Sequence, residues 1–247
     1  DARGTPGALC ARGEAVTGVP PGFHDLHHRL ACLQPNNLIV VGARPAMGKT
    51  SFALNILAHA AMEAHVPTLL FSLEMGRDEI TQRLLCSEAH VDATKLRTGR
   101  FDDRDWQKVT QAVGRLAEAP IFIDDNAAVT VMDIRAKARR LKAREGLGLT
   151  IIDYLQLRSG RHRAESRQVE VAEMSRGLKI LARELGIPVI ALSQLSPSSA
   201  GALMACASRH GAFVLQSSAL LSRARALTSS ASWISLVLVL LTTSSAW

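Results

Sequence analysis

Asn37-Leu38-Ile39-Val40-Val41-Gly42-Ala43-Arg44-Pro45-Ala46-Met47-Gly48-Lys49-Thr50 decides how the rest of the chain is read. A short apolar run, Leu38 to Val41, reads as a strand. A small-residue turn follows, and Gly48-Lys49-Thr50 then opens an amphipathic segment. Each part has a physical task. The turn aims backbone N–H groups at phosphate oxygens, and the helix start adds partial positive charge. Lys49 would reach the β and γ phosphates, and the Thr50 hydroxyl would ligate Mg²⁺. The expected nucleotide-binding residues are Ala43, Arg44, Pro45, Ala46, Met47, Gly48, Lys49 and Thr50, with ATP and Mg²⁺ as the ligands. Ala43 stands where the strict pattern has its first glycine.

Such a loop needs partners at the ends of other strands. Leu149-Thr150-Ile151-Ile152-Asp153 supplies a carboxylate for the magnesium shell, acting through water, so Asp153 joins Thr50 as a metal-site residue. An Asp ending an apolar run is also a common cap or turn residue. Leu69-Leu70-Phe71-Ser72-Leu73-Glu74 puts Glu74 at the carboxyl end of a strand, where open α/β sheets bind ligands. There it would polarise the attacking water, the alternative being a solvated acid in the loop. Val189 to Gln194 ends a strand in an amide suited to sensing the γ phosphate. Glu74, Lys49 and Gln194 are therefore the catalytic candidates.

The remaining strands are expected at Thr68 to Ser72, Ile121 to Asp124, Thr150 to Asp153 and Pro188 to Ser193, all reading as buried on both faces. Helical periodicity covers Lys49 to Glu63, Arg77 to Ala89, Asp103 to Ala117, Val131 to Glu145 and Glu165 to Leu185. Five strands alternating with helices predict an α/β fold, a mostly parallel, doubly wound sheet flanked by helices, over residues 16–196.

The chain has 247 residues, enough for one such domain with appended segments. A formal charge of +7 and a pI near 9.7 suit a polyanionic partner. Two basic stretches are candidates for its contact. Arg135, Lys137, Arg139, Arg140, Lys142 and Arg144 lie on one predicted helix, for which a solvated surface is the plainer reading. Arg158, Gly160, Arg161, His162 and Arg163 form a basic loop after Asp153, a better place for a polyanion contact. Cys10, Cys32, Cys86 and Cys206 fit neither a zinc site nor a disulfide framework, and the histidines show no metal spacing. Reduced thiols and an amino terminus without the apolar run of a signal peptide lead to a cytoplasmic expectation.

Beyond Ser196 the texture changes. No Asp, Glu or Lys follows Glu184, and 12 of the last 51 residues are serine, so residues 197–247 are not a continuation of the same design. The apolar run Trp233 to Leu241 falls well short of the roughly 20 residues that span a bilayer. A buried or aggregation-prone segment is the expectation there, with no membrane partner. Loss of regular strands beyond Ser196 would leave a sheet edge exposed, a liability for aggregation that the run Trp233 to Leu241 would either cover or worsen.

In order and spacing, the chain resembles the RecA-like motor domain of replicative DNA helicases of the DnaB type. The stretches that carry the resemblance are GARPAMGKT (42–50), FSLEM (71–75), CSEAHVDATKLRTGRFDDRDW (86–106), EAPIFIDD (118–125), IRAKARRLKAREGLGLTIIDYLQL (134–157) and SRGLKILARELGIPVIALSQLS (175–196), preceded by TGVPPGFHDL (17–26). The resemblance implies a homo-hexamer encircling single-stranded DNA at a replication fork, ATP between neighbouring subunits, and a primase or helicase loader as partner in intact relatives. By matching motif it gives Lys49 and Thr50 to phosphate and magnesium, Glu74 to catalysis, Asp153 to the magnesium shell and Gln194 to coupling.

Departures accompany it. His27 stands where the family usually has an aspartate, Asn36-Asn37 replaces a common Gly-Asp pair, and residues 1–15 resemble neither the amino-terminal domain nor the linker helix of the family. Beyond Ser196 no counterpart of the family's DNA loop or arginine finger is found, which reads as a frameshifted or otherwise foreign tail. An arginine finger in trans is worth roughly 10³ to 10⁵ in rate, so slow hydrolysis is expected. The alternative function is a nucleotide-binding remnant without helicase activity. A RecA-like recombinase or clock-type ATPase fits the loop but not the longer stretches.

Overall fold

The computed structural model describes residues 18–23, 26, 27, 30–43, 47–126, 128–153, 164–194, 213–216 and 238–240. In chain order the elements are β1 (Leu38–Ala43), α1 (Lys49–Met62), β2 (Thr68–Ser72), α2 (Arg77–Ala89), α3 (Ala93–Thr98), α4 (Asp103–Glu118), β3 (Ile121–Asp124), α5 (Val131–Glu145), β4 (Leu149–Asp153), α6 (Ala164–Leu185), β5 (Val189–Gln194), β6 (Phe213–Gln216) and β7 (Leu238–Leu240).

The strands stand in the order β3-β2-β4-β5-β1-β6-β7. All pairings are parallel except β6 with β7. Crossover helices follow β1, β2, β3 and β4, the arrangement that the alternation of apolar runs and amphipathic stretches predicts. Because successive strand residues point to opposite faces, the sheet has two separate cores. Ile39, Val41, Leu70, Leu149, Ile151, Ile190 and Leu192 pack with Ala53, Leu54, Ile56 and Leu57 of α1 and with Ile80 and Leu84 of α2. Leu38, Val40, Leu69, Phe71, Ile152, Val189 and Ala191 pack on the other face with Ile134 and Ala138 of α5 and Leu178, Leu181 and Ala182 of α6.

Local chemistry sets the helix ends. Thr130 and Asp133 form a reciprocal capping box at the start of α5, and Gly146, at φ 72°, ends it in the left-handed conformation. Asp102 caps α4 by accepting from the Asp105 amide. Helix α2 has no cap of its own; Asp125, just past β3, accepts from the Arg77 amide instead. The segment before β1 is tied back by an antiparallel bridge between Val19 and Leu33 and by the stacked rings of Phe23 and Phe52, 5.0 Å apart.

Three expectations need correction. Strand β3 is only half-buried, because it is the sheet's outer strand and lacks a neighbour on one side. Helix α3 is absent from the helices that periodicity predicts; it has no buried residue and is held by Asp92 at one end and Gly99, at φ 66°, at the other. The expected open edge is filled: β6 pairs with β1 from Ile39 to Gly42, and β7, inside the apolar run Trp233 to Leu241, pairs with β6. The rest of residues 197–247, residues 1–15, and Cys10, Cys206 and His28 lie outside the described residues. No helix among the described residues is long and apolar enough to cross a membrane.

Candidate functional site

The carboxyl ends of β1, β4, β2 and β5 converge on one edge of the sheet. At the start of α1, Gly48 is the N-cap residue with φ 77°. A Cβ there would meet nothing within 4 Å among the described residues, so conformation rather than space explains the glycine. From this turn the chain leads directly into Lys49 and Thr50.

Asp153 collects both side chains. Thr50 Oγ1 donates a 2.7 Å hydrogen bond to Asp153 Oδ2. Lys49 Nζ lies 3.5 Å from Asp153 Oδ1. The Asp153 side chain is 2% exposed, and its Oδ1 accepts no hydrogen bond among the described residues. A buried carboxylate oxygen facing an ammonium, beside a threonine hydroxyl, is a hard-oxygen set of the kind Mg²⁺ prefers. These residues therefore fit a magnesium ion carried in with a nucleotide. Among the described residues no group of three or more His, Cys, Asp or Glu side chains could hold a metal by itself.

The remaining candidates border this cluster. Ser72 is the register partner of Asp153 across β2 and β4, and Glu74 follows two residues later in an exposed turn. Gln194 is half-buried at the end of β5, in register with Ala43 at the end of β1. Met47 is exposed beside Gly48. Arg44, Pro45 and Ala46 lie outside the described residues, as does the basic loop Arg158 to Arg163.

The basic helix has an internal explanation. Arg135 and Arg139 of α5 both pair with Glu184 of α6, Lys137 pairs with Asp124 at the end of β3, and Lys142 donates to the Leu147 carbonyl. Burial works against ionising Glu184, yet the hydrogen bonds from Arg135 and Arg139 outweigh it and hold the carboxyl below its ordinary range. These cations bind α5 to its own domain.

One feature escaped sequence reasoning. Ser72, 2% exposed, both donates to the Met75 carbonyl at 2.7 Å and accepts from the Met75 amide at 3.2 Å, closing the turn around Glu74. A serine at a strand end carries no distinguishing signal, and only the fold shows what it holds.

With the geometry in place, likeness to known proteins is specific. The DnaB-like helicase C terminal domain family matches residues 18–201. The chain is 51% identical over 184 residues to the replicative DNA helicase DnaB of Geobacillus stearothermophilus, covering 74% of this chain and 40% of that protein. It is 50% identical over 182 residues to the replicative DNA helicase DnaC of Bacillus subtilis strain 168, covering 73% and 40%. It thus spans about 40% of the length of these curated relatives. Among solved structures, an isolated ATPase domain is 31% identical with a TM-score of 0.74, covering 85% of this chain and 79% of that one. A DnaB-like replicative helicase, solved in a study of its interactions with primase, is 34% identical with a TM-score of 0.70, covering 77% and 47%. The fold is RecA-like, and the chain belongs to the family of DnaB-like helicase C-terminal domains.

Proposed function

We propose that residues 16–196 form the ATP-hydrolysing motor of a replicative DNA helicase, flanked by a linker remnant at 1–15 and a distinct segment at 197–247. The observation that carries this is the Lys49–Thr50–Asp153 cluster, in which a phosphate-loop lysine and threonine meet a buried carboxylate from another strand.

In the proposed reaction, MgATP enters as substrate at Ala43 to Thr50. Lys49 exchanges Asp153 for phosphate oxygens; Thr50, and Asp153 through water, would hold the magnesium, which would neutralise charge on the phosphates. Glu74 orients a water whose oxygen bonds to the γ-phosphorus as the bond to the β,γ-bridging oxygen breaks. The electron pair leaves with ADP, and Glu74 accepts the water's proton. Gln194, in register with Ala43, transmits the state of the γ phosphate to the segment that follows β5. Work is done on single-stranded DNA by a homo-hexamer in the cytoplasm, with a primase or loader as an accessory partner. Family membership supports these assignments, and so does the net charge of +7.

ATP hydrolysis with and without single-stranded DNA, measured together with mass in solution, tests the proposal. DNA-stimulated hydrolysis by a hexamer supports it. The second reading, a nucleotide-binding module without helicase activity, draws on the family match stopping at residue 201 of 247. It predicts nucleotide binding with neither DNA stimulation nor a ring. Absence of nucleotide binding overturns both readings.

A further inference from the structure

The turn Leu73-Glu74-Met75 is held at both ends. Before Glu74, the Leu73 amide donates to the Asp153 carbonyl at 2.6 Å. After it, Met75 is gripped through both amide and carbonyl by the single hydroxyl of Ser72. Ser72 is the last residue of β2, buried and in register with Asp153. Glu74 itself is exposed, while its neighbours Leu73 and Met75 are half-buried and pack against the two cores. Between those packed side chains, the two hydrogen-bond anchors set the course of the backbone at Glu74. One is a main-chain bond that no substitution of the donor side chain removes, and the other depends wholly on one oxygen.

We propose that Ser72 is a positioning residue for hydrolysis: its hydroxyl fixes the turn that aims Glu74 at the attacking water, without touching nucleotide. This rests on the reading of Glu74 as the base. Since small misplacements of a reacting group cost large factors in rate, loss of the hydroxyl should slow the chemical step and spare binding.

The test compares Ser72→Ala, Ser72→Thr and Glu74→Gln with the unaltered chain. Four quantities are read: nucleotide affinity, kcat, KM and hydrogen exchange at the Met75 amide. In S72A, kcat is expected to fall about 10- to 100-fold while affinity stays within about twofold. Met75 exchange should rise in S72A while the amides of β1 and α1 keep their protection. S72T, which retains the hydroxyl, should recover most of the rate and the protection. S72A in an E74Q background should slow hydrolysis no further, because the group it aims is already gone. An S72A chain with unaltered kcat and unaltered Met75 exchange overturns the proposal, as does a loss of nucleotide affinity that parallels the loss of rate. Hydrolysis by E74Q at the rate of the unaltered chain sinks the reading of Glu74 instead. Met75 exchange then decides alone whether Ser72 holds the turn.

Discussion

The hydroxyl of Thr50, at the start of α1, donates a 2.7 Å hydrogen bond to Asp153, 103 positions further along the chain at the end of β4. The same carboxylate faces Lys49 at 3.5 Å. The two side chains expected on phosphate and magnesium are thus gathered by one acid. Under the proposed function, binding would be an exchange of partners, with magnesium taking the place of Lys49 as the countercharge for Asp153.

Replacing Asp153 with Asn separates these roles. The amide can still accept from Thr50 but no longer holds Lys49 by charge. Nucleotide binding in EDTA is expected to tighten, while hydrolysis in Mg²⁺ falls by about tenfold or more. Fluorescent-nucleotide titrations with and without Mg²⁺ measure both; unaltered magnesium dependence would count against the exchange.

Lys49→Ala removes the ammonium that, under the proposed function, neutralises the phosphates, and hydrolysis should become undetectable. Activity that survives this change would move the site elsewhere. Glu74→Gln should leave nucleotide bound and slow its hydrolysis by about 10²- to 10⁴-fold, the range for loss of a general base. Single-turnover kinetics separate the two effects.

Gly48→Ala forces a Cβ into the left-handed region at φ 77°, although no atom of the described residues lies within 4 Å to obstruct it. The cost should be about 1–2 kcal/mol from backbone strain alone. Chemical denaturation measures it, and an unchanged midpoint would show that the turn relaxes at no cost.

Acid should weaken the contact between α3 and α4. The hydrogen bond from Lys95 holds the Asp105 carboxyl below its ordinary 3.8, and the same bond holds Lys95 above 10.5. A carboxyl whose folded pKa is depressed contributes stability that is present above the unfolded value and lost as pH falls through the folded one. Asp105→Asn should therefore be less stable than the unaltered chain at pH 7, with the gap closing below about pH 3.9. Urea midpoints from pH 7 to pH 3 test this, and a gap independent of pH would refute it.

Most of the architecture was legible because β1, β2, β4 and β5 are dominated by apolar residues and some of the helices, α5 among them with Thr130 and Asp133, carry their own caps. What was not legible depends on neighbours. The sequence of β3 is as apolar as that of a central strand, but its outer place in the order leaves it half-buried. Six residues of α3 are too few to show a period, and none is buried. In α5 the pattern of cations was visible, but not Glu184 and Asp124, which hold Arg135, Arg139 and Lys137. At the site, Lys49, Thr50 and Asp153 announced themselves through the chemistry of a phosphate loop. Ser72 did not, because what distinguishes it is Met75 closing back on it.

The order of strands also bears on how the molecule is made. β1 precedes the other described strands of the sheet in the chain, yet its neighbours are β5 and β6. On a ribosome delivering the chain from its amino terminus, β2, β3 and β4 can pair while Leu38–Ala43 still waits for Val189–Gln194. The phosphate loop hangs from that waiting strand. The strand that carries the proposed nucleotide site is therefore paired only once β5 has been made, and chains interrupted before β5 leave β1 without that neighbour.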